Sequence, residues 1–136
     1  MRMPRTGIRE MTANIDSGGA GGPQADEALF AIVDRGNVHG DLPGDADPVQ
    51  IARLFAAIGW SARASAFDEF EVAHTWAELV LWSASPGRTM FTGIVYPDRM
   101  AELAAVFDQI GLAYSFEVEL PEDNPGTRNY RSSTGR

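Results

Sequence analysis

Apolar positions along this chain fall into short runs set apart by Gly, Pro and Asp, and the spacing within each run predicts its element. From Asp47 onward, Ile51, Leu54, Phe55 and Ile58 recur at the i, i+3, i+4, i+7 spacing of a single buried helical stripe. Asp47 stands at the N-cap, Pro48 at N1, and Gln50 completes a capping-box pattern. Gly59 supplies the stop. A second helix begins at Pro97, with Asp98 in the first turn where the helix dipole favours negative charge. Its stripe is Met100, Leu103, Ala104, Phe107 and Ile110, and Gly111 ends it. Phe55-x-x-Ile58-Gly59 recurs 52 residues later as Phe107-x-x-Ile110-Gly111. Helix ends resemble one another for physical reasons, so this implies a common architecture rather than an established duplication.

Apolar runs flank both helices: Ala28–Val33 and Ser61–Phe67 around the first, Met90–Tyr96 and Leu112–Leu120 around the second. Between the two units lies the most apolar stretch, Phe70–Ala84, followed by Ser85-Pro86-Gly87-Arg88 and Thr89–Tyr96. Pro-Gly at the centre of four residues is a type II turn signal, so a hairpin is expected there. The predicted fold is α+β, an antiparallel-rich sheet with two helices on one face. The predicted order is β-α-β-β-β-α-β, a ferredoxin-like or similar two-layer sandwich.

A sheet covered on one side should alternate. The last run does, with Tyr114, Phe116, Val118 and Leu120 on one parity and Ala113, Ser115, Glu117 and Glu119 on the other. The hairpin does not: Trp76, Val80 and Trp82 share one parity while Leu79 and Leu81 take the other. In the partner strand, Met90, Ile94 and Tyr96 alternate with Phe91 and Val95. Two accounts fit. Either a β-bulge flips the phase within 70–84 and gathers the large residues into one core, or a partner covers a second apolar face. On the second account Trp76, Trp82 and Tyr96 are partner-binding residues, of the types that dominate interface hot spots.

Residues 1–26, with the run Ser17-Gly18-Gly19-Ala20-Gly21-Gly22-Pro23, and residues 121–136 lack the apolar surface to offset ordering entropy. They are expected to be a disordered N-terminal tail and a flexible C-terminal tail around a single domain at 27–120. The glycine run follows no strand and opens no helix, so it is not a phosphate loop. The connection 34–47 (DRGNVHGDLPGDAD) is long for a strand-to-helix loop. Its Asp34, His39, Asp41 and Asp45 make it a candidate acidic recognition loop. Its acid spacing does not match an EF-hand, and no metal site or cofactor is expected.

Composition narrows the chemistry. The 136 residues contain no Cys and no Lys; all 11 basic residues are Arg, against 19 Asp plus Glu. Thiol nucleophiles, disulfides, cysteine metal sites, Walker lysines and Schiff bases are excluded. Residues 27–120 carry five Arg and fourteen acids, a net charge of −9. Such a domain repels nucleic-acid backbones and anionic membranes and favours a basic protein partner. No apolar run reaches the length of a membrane span and no signal peptide is evident, so a cytoplasmic location is expected. His74 shares the parity of Val72 and Trp76 and reads as a structural histidine. Asp68, Glu69 and Glu71 cluster before the hairpin, but no Ser-His-Asp signature accompanies them.

In size, acidity, absence of cysteine and α+β order, the chain resembles two broad bacterial classes: small immunity proteins that neutralise toxins, and small acidic secretion-type chaperones. No motif carries the resemblance, and no residue roles follow from it. The expectation is a non-enzymatic, acidic protein-binding module of the immunity or inhibitor type. The alternatives are a chaperone-like homodimer and a small-molecule-binding or catalytic α+β domain.

Overall fold

A computed structural model of the chain describes residues 22–32, 36–44, 46–66, 69–119 and 126–132. In chain order the elements are α1 (Glu27–Ile32), β1 (Val38–Pro43), α2 (Pro48–Ala57), β2 (Ser61–Ala66), β3 (Glu69–His74), β4 (Ala77–Ser85), β5 (Arg88–Val95), a 3₁₀ turn (Pro97–Arg99), α3 (Met100–Gln109), β6 (Ser115–Glu119) and β7 (Thr127–Arg131). The fold is α+β. Seven strands form one sheet in the order β2-β3-β4-β5-β1-β6-β7, antiparallel at every pairing. The expected β-α-β-β-β-α-β order is not reached: a four-strand meander separates α2 from α3, and β7 is added beyond β6.

Both predicted helices form as their ends dictate. The Asp47 side chain accepts from the Gln50 amide at 3.0 Å and the Gln50 side chain accepts from the Asp47 amide at 2.9 Å, closing the capping box. At the other end, the Trp60 amide donates to Phe55 carbonyl and the Gly59 amide to Ala56 carbonyl, with Gly59 at φ +100°. Helix α3 ends identically: Leu112 to Phe107, Gly111 to Asp108, with Gly111 at φ +80°. These are Schellman motifs, and their apolar closure is visible where the Phe55 and Trp60 rings meet at 4.8 Å. The repeated Phe-x-x-Ile-Gly is therefore a capping signature, sufficient to explain the recurrence without duplication.

Helices α2 and α3 cover one face of the sheet. Ile51, Phe55, Leu103 and Phe107 meet Val38, Leu42, Val72, Leu79, Leu81, Phe91, Phe116 and Val118 in one buried cluster. The hairpin turn places Gly87 at φ +77°, as its Pro-Gly signal predicts.

Three sequence expectations are corrected. Ala28–Val33 is not a strand: residues 27–32 are helix α1, which lies against the other face of the sheet, with Leu29 packed on Ile94. Short apolar runs do not distinguish strand from helix, and of Ala28–Ala31 only Leu29 is buried. Residues 34–47 are not a loop: Val38–Pro43 is a central strand, between β5 and β6. Pro43 is tolerated because the β6 ladder ends at Asp41, leaving its missing N–H unneeded on that side. Thr127–Arg131, expected to be loose, pairs with β6 along its length. Residues 1–21 lie outside the described residues.

The start of β1 is fastened by Asn37, which is 8% exposed. Its side-chain amide donates to Val95 carbonyl at 2.8 Å and its side-chain oxygen accepts from the Val95 amide at 3.0 Å. Its own amide donates to Gly93 carbonyl, and its carbonyl accepts from the Glu119 amide at 2.8 Å. One residue thus ties β1 to both neighbours. Truncation to Asn37→Ala leaves both polar groups of Val95 without these partners and is expected to cost about 1–3 kcal/mol in urea denaturation. A cost near zero would show that the clamp is dispensable. Gly111→Ala, strained only by its positive φ in open space, should cost about 1 kcal/mol in the same assay.

Candidate functional site

Strand alternation assigns each residue of the hairpin to a face, and the register fixes its neighbours. The expected bulge in 70–84 is a two-residue turn, Thr75–Trp76, between β3 and β4. That turn changes the phase. Trp76 is buried at 6% exposure against Trp60 (5.4 Å between centroids), with the Arg99 guanidinium over its ring at 5.2 Å. It belongs to the helix-covered core, so its proposed role in partner binding is withdrawn. Trp82 lies on the opposite, outer face, while Leu79 and Leu81 point into the core.

On that outer face, rows of side chains run across the strands. One row is Glu69, Trp82, Met90, Asp41, Ser115 and Arg131. The adjacent row is Arg63, Glu71, Val80, Thr92, His39 and Glu117. Val80, Trp82 and Met90 therefore form a contiguous, half-buried apolar patch on β4 and β5. His39 and Asp41, drawn from the supposed loop, stand beside it because β1 is the next strand. Six carboxylates share this face (Asp41, Glu69, Glu71, Glu78, Glu117 and Glu119) against three arginines among the described residues (Arg63, Arg88 and Arg131).

Most of the pairing on this face is at the surface. Arg88 donates to Asp41 at 3.4 Å, and His39 lies 3.5 Å from Glu117. Arg63 Nε donates to Glu71 at 2.6 Å. Surface pairs of this kind contribute about 0–1 kcal/mol, so a partner's charges can replace them at small cost. Tyr96 sits at the far end of the face, against Leu29 and Ile94, and its hydroxyl donates to Asp26 at 3.4 Å. Partial burial and the Asp26 carboxylate push its phenol above the ordinary range. Tyr96 thus holds the α1 segment in place rather than joining the Trp82 patch. Asp34 and Asp45 lie outside the described residues.

Where residues 24–25 cross the sheet they roof a polar cavity of about 90 Å³, lined by Ser61, Arg63, Glu71, Ala73 and Glu78. Burial raises the Glu78 pKa, the neighbouring Glu71 raises it further, and Arg63 opposes the shift. Sequence grouped Glu71 with Asp68 and Glu69, its neighbours along the chain, and not with Glu78. The cross-strand diagonal that joins Glu71 to Glu78 depends on the Thr75–Trp76 turn. His74 is outside this cavity: its Nδ1 accepts from the Thr75 amide at 2.9 Å, and its ring packs on Trp60. Among the described residues no group of three or more His, Asp or Glu is placed to hold a metal, and no helix is long and apolar enough to cross a membrane.

No protein-family model matches the chain, no curated protein is detectably similar to it, and no solved structure matches its fold.

A carboxyl whose pKa is raised on folding binds its proton more tightly in the folded state. Its contribution is therefore full below the unfolded pKa and is lost as pH rises through the folded pKa. Glu78→Gln should accordingly melt above the wild type at pH 7, with the difference closing by pH 4. A Glu78→Gln melting point below the wild type at pH 7 would contradict the Glu71–Glu78 coupling.

Proposed function

We propose that the protein is a non-enzymatic protein-binding module of the immunity or inhibitor type, which takes a basic partner on its outer sheet face. The observation that carries this reading is the Val80–Trp82–Met90 patch, bordered by Glu69, Glu71 and Asp41 on the face opposite the two-helix core. Desolvated aromatic and thioether side chains supply affinity, and the surrounding carboxylates supply steering and partner choice. The cytoplasmic location expected from sequence fits this role.

Less supports the other readings. A chaperone-like homodimer through this face would set its six carboxylates against the six of a second copy. A catalytic domain would need reactive groups in a pocket of about 300–1,000 Å³: the cavity beside Glu71 and Glu78 is smaller than that, and the open depression of about 430 Å³ at Ala46, Gln50, Arg53 and Leu54 is lined by no acid or histidine.

The test is affinity capture with the bound protein identified by mass spectrometry and its affinity measured. The expected partner is Arg- or Lys-rich and binds more weakly as salt rises. Combined Trp82→Ala and Asp41→Asn should weaken it about 30-fold or more, as loss of a hot spot does. Glu102→Ala on the solvent side of α3 should leave it unchanged. A partner held equally by the double variant would place the binding surface elsewhere.

A further inference from the structure

Residues 22–32 cross the outer face as a strap, and the burial beneath them shows where it lies. Ala73 and Ile94 point to that face yet are 7% and 9% exposed, whereas Val80, Trp82 and Met90 on the same face are only half-buried. The strap follows the row Ser61, Ala73, Glu78 and Ile94. Gly22 lies so close to Ser61 that a side chain there would meet it at 3.1 Å. Gln24 and Ala25 roof the cavity that holds Ala73 and Glu78. The Asp26 amide donates to Thr75 carbonyl at 2.9 Å, and Leu29 packs on Ile94. The hold is light. Helix α1 has six residues, too few to persist alone, and Phe30 is 46% exposed. Elements of this kind open locally without global unfolding.

Beneath the strap, Glu78 is the carboxyl with the least compensation. From β2, Arg63 faces the cavity, but its guanidinium is engaged by Glu71 of β3. From β5, uncharged Ile94 stands opposite Glu78, with Thr92 on one diagonal and Tyr96 on the other. The strap's own charges, Asp26 and Glu27, are both acidic, and the Tyr96 hydroxyl donates to Asp26 at 3.4 Å. An ionised Glu78 is therefore partly stripped of water by the roof and set diagonally against Glu71. Arg63 offsets only part of that cost.

We propose that residues 22–32 are a pH-sensitive strap, closed over Glu78 while that carboxyl carries a proton and lifting as it ionises, so that Ala73 and Ile94 join Val80 and Trp82 in one open apolar face. The coupling follows from linkage: a group that binds its proton more tightly under the roof weakens the roof when it releases that proton. The burial that raises the Glu78 pKa acts in this direction. Use of the enlarged face by a partner rests on the function proposed above, whereas the latch does not.

Hydrogen exchange in the free, full-length protein tests the latch. After correction for intrinsic exchange, protection of the Asp26 and Leu29 amides should fall about threefold or more between pH 5 and pH 8, while that of Ile51 in α2 holds steady. Glu78→Gln should abolish the fall, and Asp26→Asn should keep it. Reciprocally, Leu29→Ala, which loosens the strap, should move the Glu78 titration midpoint, read from its carboxyl carbon signal, down toward that of an ordinary glutamate. Flat protection in the wild type would overturn the proposal. So would an equal fall at Ile51, which means loss of the whole fold, or a fall that survives Glu78→Gln or vanishes in Asp26→Asn. A Glu78 midpoint unmoved by Leu29→Ala would overturn it equally.

Discussion

The sheet depends on how a polar, glycine- and proline-containing segment is held at its centre. Val38–Pro43 buries only Val38 and Leu42, too little to specify a central strand by hydrophobicity. Asn37 makes up the difference: a buried side-chain amide that uses the carbonyl and amide of Val95, while its backbone pairs with Gly93 and Glu119. Buried polar groups are costly unless paired, and here pairing also fixes the register of β1 against both neighbours. Two consequences follow. The meander β2–β5 and the pair β6–β7 become one sheet, and His39 and Asp41 are aimed at the outer face beside Trp82 and Met90.

The other decisive feature is the Thr75–Trp76 turn. A one-residue change of phase moves every side chain of a strand to the opposite face. By breaking the apolar run after His74, the turn sends Trp76 to the core with Trp60 and leaves Trp82 outside with Val80. It also sets Glu78 diagonal to Glu71, and the raised Glu78 pKa follows from that neighbour and from burial. The inner face is aromatic and closed, with Phe91, Phe107 and Phe116 in mutual ring contact. The outer face mixes apolar and acidic residues, and only the short α1 strap crosses it among the described residues.

What could be read from sequence divides along the same physical line. Elements with local punctuation were legible: the Asp47 capping box, the Gly59 and Gly111 stops, the Pro86-Gly87 turn, and the alternation of Tyr114, Phe116 and Val118. Elements fixed by tertiary pairing were not. ALFAI carries no feature that separates a short strand from a short helix. VHGDLP and TRNYR read as loop and tail because their strand character comes from the neighbours they bond to, not from propensity. HTWA contains no Gly, Pro, Asn or Asp to announce a turn. The candidate site was therefore half legible: Trp82, His39 and Asp41 share a face, Tyr96 anchors α1 at one end of it, and Trp76 belongs to the core. Asn37 was visible only as one polar residue of a supposed loop.

The two tryptophans of this stretch differ in kind: Trp76, in the turn before β4, is built into the core, whereas Trp82, within β4, stands half-buried on the outer face. Urea denaturation of Trp76→Ala beside Trp82→Ala tests this difference most directly. The structure predicts a loss of about 3–5 kcal/mol for Trp76→Ala, as for a large buried aromatic, and about 1 kcal/mol or less for Trp82→Ala. Equal losses at the two positions would mean that Trp82 is structural core and that the outer face is not a binding surface.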